Sequence, residues 1–275
     1  MGSEVPELPE VETIVRSLRV ADNIIGKTII NSQVLWQRSL AVPLPDEFKQ
    51  QIKGQQILAV DRRGKFIVIQ LTRQYLLIHL RMSGDIFVET GEATRNNKHD
   101  RVILEFSDGS RLAFNDTRKF GRVWLVDDPE SVYEKLGCEP LNELLTEQSF
   151  FEMLCRSKRQ IKPLLLDQTF ISGLGNIYTD ESLFIAGIHP STPAYFIPED
   201  KAAVLLKAIR EVLLEGIKRN GASIDWVYRG GDFQNHFKVY QRGGEPCYTC
   251  GTTIERIALG QRGTHFCPRC QPLVA

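Results

Sequence analysis

No stretch of this sequence stays apolar for the roughly 20 residues that a membrane-spanning helix needs, so we expect no transmembrane segment. The first residues also lack the basic segment and apolar run of a secretory signal, which predicts a cytoplasmic protein. The chain has 34 basic and 34 acidic side chains, and its formal net charge is zero. Bulk charge therefore gives no reason to expect a nucleic-acid partner, which would have to bind local basic patches.

Cysteine is scarce, with six residues in 275, and four of the six are grouped near the C-terminus. Cys247 and Cys250 form one Cys-x-x-Cys pair, and Cys267 and Cys270 form a second pair after sixteen intervening residues. This spacing is typical of a tetrahedral zinc site whose four sulfur ligands leave no position open for substrate. Two disulfides or a redox dithiol are the alternatives, and a cytoplasmic setting favours the metal. We therefore predict one structural zinc ion that supplies much of this segment's folding energy.

Basic residues do cluster locally on this neutral background. Any one such cluster is more often a solvated face than a binding site, so none decides the function alone. The clusters are Arg62, Arg63 and Lys65; Arg118, Lys119 and Arg122; and Arg156, Lys158, Arg159 and Lys162.

Hydrophobic periodicity predicts a helix over residues 9–18, followed by a strand-rich half. The predicted strands are short, rich in β-branched and aromatic residues, and separated by turn signals such as Asp108-Gly109, a pattern that favours a sandwich or barrel. They cover residues 28–36, 56–60, 65–71, 75–80, 85–89, 101–106, 111–115 and 122–126.

The second half reads as helical, and the predicted helices cover residues 147–155, 158–166, 176–186 and 199–219. A loop is predicted over residues 223–235, with Gly230-Gly231 in it, and Gly263 suggests a turn with Arg262 at its tip. We predict an α+β chain with a strand-rich domain at residues 1–126, a linker at 127–146, a helical domain at 147–235 and a zinc finger at 236–275.

The most diagnostic string is Pro-Glu-Leu-Pro-Glu-Val-Glu at residues 6–12. It resembles the start of bacterial formamidopyrimidine-DNA glycosylases, and further resemblances follow in order along nearly the whole chain. They are Arg-Arg-Gly-Lys-Phe at 62–66, His-Leu-Arg-Met-Ser-Gly at 79–84, Lys-His-Asp at 98–100, Asp-Thr-Arg-Lys-Phe-Gly at 116–121, Gly-Leu-Gly-Asn-Ile-Tyr at 173–178, the four cysteines and Arg-Gly-Thr at 262–264.

The resemblance implies an N-terminal β-sandwich flanked by helices, a helix–two-turn–helix domain and a zinc-ribbon finger, with DNA between the two halves. It implies a monomeric base-excision-repair enzyme of the cytoplasm, associated with the nucleoid when bound. Such an enzyme removes oxidised purines (8-oxoguanine and formamidopyrimidines) from damaged double-stranded DNA and then cuts the strand by β,δ-elimination.

The resemblance also assigns roles to individual residues. Pro6 is expected to be the nucleophile that attacks C1′, Glu7 an acid/base, Lys65 a second general acid and Arg262 a phosphate-gripping aid to elimination. Backbone phosphates are expected to contact His99, Arg118, Lys158 and Asn176, the last at a helix N-terminus whose amides would face a phosphate. Met82, Arg118 and Phe120 are expected to fill the gap left by a flipped nucleotide, although Met82 and Phe120 could simply be buried in a sheet. The loop at 223–235 would cover the flipped base.

The sequence departs from the family at its start, because residues 1–5 precede the proline that is normally residue two. An internal proline nitrogen is an amide and carries no hydrogen, so it cannot attack C1′. Translation could start at Val5, Met-Gly-Ser could be an artificial tag, or the extension could be genuine. The last case predicts a damaged-DNA-binding protein without glycosylase activity.

Two further functions compete with these. The related endonuclease VIII class prefers oxidised pyrimidines, but Leu8 and Val11 in the opening string favour the purine-acting branch. A generic zinc-ribbon interaction module would explain the cysteines alone, and the opening string argues against it.

Overall fold

A computed structural model describes residues 5–90, 97–223 and 230–273 of the chain. These residues divide into two compact units. The first unit is formed by residues 5–6, 10–90 and 97–134, and the second by residues 7–9, 135–223 and 230–273. The four-part domain division stays a prediction.

The first unit is built mainly of antiparallel strands. Its elements are α1 (Leu8–Arg16, whose first residues belong to the second unit), β1 (Ile29–Val34), β2 (Leu40–Val42), α2 (Pro45–Ile52), β3 (Ile57–Arg63), β4 (Phe66–Leu71), β5 (Tyr75–His79), β6 (Gly84–Glu89), β7 (Asp100–Phe106), β8 (Arg111–Asp116), β9 (Arg122–Val126) and α3 (Glu130–Tyr133).

The strands form two sheets, one ordered β1-β7-β8-β6 and the other β2-β9-β5-β4-β3. One cluster of buried side chains takes Phe106 and Phe114 from the first sheet and Ile67 and Ile78 from the second. Because both sheets bury one face in a common core, the predicted β-sandwich is confirmed. The apolar side of α1, including Val11, joins the same cluster.

The second unit is mainly helical, with a small hairpin at its C-terminal end. Its elements are α4 (Glu147–Cys155), α5 (Ile161–Leu165), α6 (Asn176–Ala186), α7 (Glu199–Lys218), β10 (Glu255–Leu259) and β11 (Arg262–Phe266). The apolar stripe of α7 is buried, with Leu205, Ile209 and Leu213 fully covered.

The helix predicted from residue 158 begins later, at Ile161. Residues 157–160 pair with a distant segment instead, since the amide of Tyr195 donates to Ser157 O at 3.2 Å and that of Ala194 to Arg159 O at 2.9 Å. Gln160 at the end of this segment is extended, with a φ of −60° and a ψ of 144°, so the helix begins only after it. In the predicted loop, residues 224–229 lie outside the described residues, and Phe233–His236 forms a 3₁₀ turn.

Candidate zinc centre and nucleic-acid interface

The four grouped cysteines converge on one point in the second unit. Their sulfur atoms all lie within 4.8 Å of one another, and none of them is in a disulfide. The amide of Thr249 donates to Cys247 Sγ at 3.4 Å, and that of Cys270 donates to Cys267 Sγ at 3.5 Å. Each pair therefore forms a tight knuckle whose amides stabilise sulfur charge. The donor set is that of one structural zinc ion, and the disulfide alternative is wrong.

The electrostatic environments of Cys250, Cys267 and Cys270 differ. Hydrogen bonds from Thr252 lower the pKa of Cys250 to about 6, whereas burial raises the pKa of Cys267 and Cys270. The cysteines pack with few apolar side chains, among them Phe184, Val239 and Ile254. So small a core makes the bound metal a main source of stability for the finger.

The hairpin between the knuckles carries Arg262, which is exposed. Gly260 and Gln261 have φ angles of +53° and +64°, as the two central residues of a type I′ hairpin turn do. The turn predicted at Gly263 is therefore wrong by three residues: Gly263 lies within β11, and Arg262 is the first residue after the turn.

A buried ion pair anchors this hairpin. Lys162 Nζ lies 2.7 Å from Asp180 Oδ1, and neither side chain is exposed to solvent. Lys162 Nζ also donates to Gly263 O at 2.9 Å, and Asp180 Oδ2 accepts the amide of His265 at 2.9 Å. The pair thus holds β11 on both sides of its central residue, next to Arg262. Sequence analysis placed Lys162 in a solvated basic cluster and gave Asp180 no role.

The side chain of Glu7 closes the N-terminus of α6. Its carboxylate accepts the amides of Gly175 at 2.6 Å, Ile177 at 2.9 Å and Tyr178 at 3.4 Å. A Cβ on Gly175 would lie 2.4 Å from the Glu7 carboxyl carbon, so only glycine allows this approach. Acceptance of several N–H donors at a helix N-terminus matches an ionised carboxylate.

This arrangement corrects the expectation that the amides around Asn176 face a phosphate, because Glu7 already accepts the neighbouring donors. Asn176 does begin α6, as predicted, and its Nδ2 lies 3.5 Å from the Tyr240 hydroxyl.

Cationic groups concentrate at one edge of the first unit. Lys65 follows Gly64 in the β3–β4 hairpin, and its charge acts on His79. Burial and the charges of Arg81 and Lys65 lower the pKa of His79 to about 3, so the ring is neutral near pH 7. Burial and Arg122 likewise lower the pKa of Arg81. This cationic edge of Lys65, Arg81 and Arg122 is therefore a candidate site for an anion.

Two segments of the first unit carry the residues expected to enter the duplex. Phe120 is 47% exposed, which argues against its burial in a sheet, and the Arg118 guanidinium lies 5.1 Å from the centre of its ring. Met82 is half-buried. Ser83, next to Met82, accepts the amide of Arg118 on its Oγ at 3.0 Å, so the two segments are joined.

His99 and Lys158 are the remaining predicted phosphate contacts. His99 is half-buried, with its Nδ1 3.4 Å from the Arg101 guanidinium, and Lys158 is exposed on the segment that pairs with residues 194–195. Pro6 is buried and follows a half-buried Val5; residues 1–4 of the extension lie outside the described residues.

Known families match the chain from end to end. The formamidopyrimidine-DNA glycosylase N-terminal domain matches residues 5–123, its H2TH domain residues 136–227, and the zinc finger found in FPG and IleRS residues 244–273. The chain belongs to the formamidopyrimidine-DNA glycosylase family.

Curated relatives of this family agree with the match over their full length. The formamidopyrimidine-DNA glycosylase of Protochlamydia amoebophila is 44% identical over 276 residues, covering 97% of this chain and 99% of the relative. That of Chloroflexus aggregans is 45% identical over 278 residues, covering 98% and 100%. The endonuclease VIII and generic zinc-ribbon alternatives are therefore not favoured.

Solved structures of the family share the fold. The Lactococcus lactis enzyme in complex with DNA containing Fapy-dG has a TM-score of 0.89 at 38% identity, covering 97% of this chain and all of that one. A complex of the same enzyme with abasic-site DNA gives 0.89 at 37% identity, with the same coverage. The predicted helix–two-turn–helix domain and zinc finger of the family are confirmed. Within the described residues, no helix is long and apolar enough to cross a membrane.

Sequence analysis missed several residues that shape these sites. His79 and Arg81 lie inside the motif at residues 79–84, which was one basis of the family resemblance. The motif marks this segment as important, but it does not reveal the electrostatic roles of the two side chains. Asp180 and Lys162 are separated in sequence, and no local pattern joins them.

Proposed function

We propose that this chain is a base-excision-repair glycosylase that removes oxidised purines from double-stranded DNA and cleaves the strand as an AP lyase. The observation that carries the proposal is the full-length match to enzymes of this activity, one of which is solved on Fapy-dG DNA. We infer that it works as a monomer in the cytoplasm, on the DNA of the nucleoid.

The proposed chemistry needs a secondary amine at Pro6. When Pro6 is the first residue, its nitrogen is an α-amino group, and a part of it is unprotonated and nucleophilic at neutral pH. The nitrogen attacks C1′, the bond from C1′ to the damaged base breaks, and the base leaves with a proton. Ring opening and loss of the nitrogen's proton give an iminium ion on the sugar. This cation acidifies the C2′ proton, whose removal expels the 3′ phosphate; a second elimination expels the 5′ phosphate.

Glu7 is proposed to handle protons at the sugar. Its carboxylate is held by three amides, which supports a role for the ionised form, either as a base or as a negative charge beside the iminium. Lys65 is proposed as a general acid and phosphate contact, and its place in the cationic edge supports this. Arg262 is proposed to grip phosphate, supported by its exposure beside a hairpin turn anchored by Lys162.

A zinc ion held by Cys247, Cys250, Cys267 and Cys270 would supply structure and no chemistry, because four protein thiolates would complete its coordination. Phosphate contacts are proposed for His99, Arg118, Lys158 and Asn176, and insertion into the duplex for Met82, Arg118 and Phe120. The exposed ring of Phe120 under the Arg118 guanidinium supports insertion most directly.

The alternative function, damaged-DNA binding without glycosylase activity, requires a Pro6 nitrogen that stays acylated by Val5, and the match to named glycosylases does not favour it. An excision and nicking assay on a duplex with 8-oxoguanine opposite cytosine, with the intact mass of the protein determined, separates the two. Base release by protein that begins at Pro6 supports the glycosylase, and its absence there contradicts it.

A further inference from the structure

The two segments that carry Met82, Arg118 and Phe120, here called the wedge, are tied by one buried carboxylate. Asp116 is fully buried at the end of β8. Its Oδ1 accepts the hydroxyl of Ser83 and the amide of Arg118, the latter at 3.1 Å, and its Oδ2 accepts the amide of Gly121 at 2.7 Å. The amides of Arg118 and Gly121 lie at the two ends of the Arg118–Phe120 tip, and the hydroxyl of Ser83 lies on the Met82 turn.

Ser83 completes the tie. Its Oγ donates to Asp116 and accepts the amide of Arg118 at 3.0 Å, so a single hydroxyl bridges the Met82 turn to the neighbouring tip. The hydroxyl uses its donor and an acceptor position at once, and the carboxylate acts only as an acceptor. Hydrogen bonds to a charged group are the stronger kind, and burial strengthens them further.

The backbone of the tip is tightly constrained around the same carboxylate. Lys119 has a φ of +63°, and its ammonium lies 3.9 Å from the centre of the Trp36 ring. A Cβ on Gly121 would lie 2.4 Å from the Phe114 ring and 3.2 Å from Asp116 Oδ2. The tip therefore follows one path, with Arg118 and Phe120 exposed at its summit.

The main chain of Asp116 is hydrogen-bonded to His99, which is one of the predicted phosphate contacts. The amide of Asp116 donates to His99 O at 2.9 Å, and Arg101 Nε donates to Asp116 O at 2.7 Å. Asp116 thus connects the wedge to the segment that carries His99.

We propose that Ser83 and Asp116 are positioning residues that hold Met82, Arg118 and Phe120 as one prearranged wedge for insertion into the duplex. The inference rests on the proposed function, because it concerns how that site opens damaged DNA. A wedge fixed before binding loses little conformational freedom when it replaces a flipped nucleotide. Without the hydrogen bonds of Ser83 and Asp116, the Met82 turn and the Arg118–Phe120 tip would become ordered independently. They would then fill the gap left by the flipped nucleotide less often.

The test uses the zinc-loaded full chain and a duplex with a stable tetrahydrofuran abasic analogue facing 2-aminopurine. Wedge insertion unstacks the facing base, so wild-type protein should raise the 2-aminopurine fluorescence at saturation. Ser83→Ala and Asp116→Asn should lower this rise to that of Met82→Ala, while the Kd for the duplex changes by less than about threefold, because the phosphate contacts remain. Ser83→Thr keeps the hydroxyl and should restore the signal.

A catalytic readout separates positioning from general damage to the fold. In protein that begins at Pro6, excision of a lesion paired with cytosine should slow by about tenfold in Ser83→Ala, a barrier change of about 1.4 kcal/mol. Excision of the same lesion from an unpaired bubble, where no partner base needs replacing, should change little. A second change, Met82→Ala, should add little to Ser83→Ala, since both act through the same insertion.

The matched control is Ser110→Ala. Ser110 donates to Asp108 Oδ1 at 2.6 Å in the β7–β8 turn, so its removal deletes a serine–aspartate bond from the same sheet. This variant should keep wild-type fluorescence and excision.

Two failures are distinguishable. Wild-type protein that does not bind the abasic-analogue duplex overturns the proposed function and the inference with it. Wild-type protein that binds and unstacks the facing base, beside a folded Ser83→Ala variant that does the same, overturns the inference alone. Equal slowing on paired and bubble substrates also overturns it. If Asp116→Asn does not fold, the half-buried Ser83 still carries the test.

Discussion

Lys162 Nζ and Asp180 Oδ1 lie 2.7 Å apart with both side chains excluded from solvent, and together they hold the hairpin that presents Arg262. Replacing only one of these two residues is strongly destabilising, because the charge of the other residue then stays buried without a counter-charge. The relationship joins the helical part of the second unit to the finger.

Lys162→Met is therefore expected to lower the free energy of unfolding by about 3–5 kcal/mol, as removal of one partner of a buried ion pair does. Strand cleavage should fall as well, because Arg262 loses its support. The matched control is Arg159→Met, which breaks the exposed pair with Asp167 and should cost at most about 1 kcal/mol. Urea unfolding measures both changes. Equal losses in the two variants would show that burial of the Lys162 pair is unimportant.

Metal analysis of the purified chain should give one zinc per molecule. Cys250→Ser removes a thiolate ligand and is expected to unfold the finger and weaken DNA binding, while the β-sandwich stays folded. Cys155→Ser is the control, since Cys155 is exposed and lies outside the cluster. The measurements are the zinc content, the circular dichroism spectrum and the affinity for a damaged duplex, each compared between the variant and the wild-type protein. A zinc-free protein that still binds DNA with wild-type affinity contradicts this prediction.

The sequence carried enough information for the sandwich, the zinc ligands and the start of α6. The alternation of apolar residues and the cysteine spacing are local patterns. They can be recognised without knowing which distant residues come into contact. The late start of α5 could not be predicted, because the pairing of residues 157–160 with residues 193–195 decides it. The buried state of Lys162 depends on Asp180 in the same way.

In the candidate site, too, local motifs could be predicted from the sequence, whereas contacts between distant segments could not. Motifs located Lys65, Met82 and Phe120, but the hydrogen bonds from Gly175 and its neighbours to Glu7 arise from a contact between distant segments. The expectation of amides facing a phosphate failed for that reason. A helix N-terminus attracts an anion, and in this chain a side chain supplies it.

Lys158→Ala is expected to weaken binding to damaged and undamaged duplexes alike, since an exposed lysine that contacts phosphate carries no information about the base. The slope of log Kd against log salt concentration should shrink by about one unit. Lys207→Ala on α7 is the control and should leave the slope unchanged. A loss confined to damaged DNA would mean that Lys158 recognises the lesion.

Acid should destabilise the first unit through His79. Its pKa of about 3 lies below the ordinary value of 6.5, so between these pH values the unfolded chain binds a proton that the folded chain does not. The free energy of unfolding contributed by His79 is therefore fully present above pH 6.5 and is lost as the pH falls, by up to about 1.4 kcal/mol per pH unit.

His79→Gln removes this titration. Urea unfolding between about pH 4 and pH 7 should show a shallower pH dependence in the variant, while above pH 7 the two proteins should differ by a constant amount. Parallel curves over the acid range would mean that His79 titrates normally in the folded protein.

The central claim is that the amine of Pro6 attacks the damaged nucleotide, and borohydride trapping tests it most directly. Borohydride reduces the iminium to a stable amine, so the crosslink reports the attacking nitrogen. Two mass-verified proteins are compared on a duplex with an intact oxidised guanine, one beginning at Pro6 and one retaining residues 1–5. The account predicts base release, nicking on both sides of the lesion and a crosslink at Pro6 for the first, and binding without a crosslink at Pro6 for the second. Excision by the extended protein as fast as by the trimmed one would contradict the account.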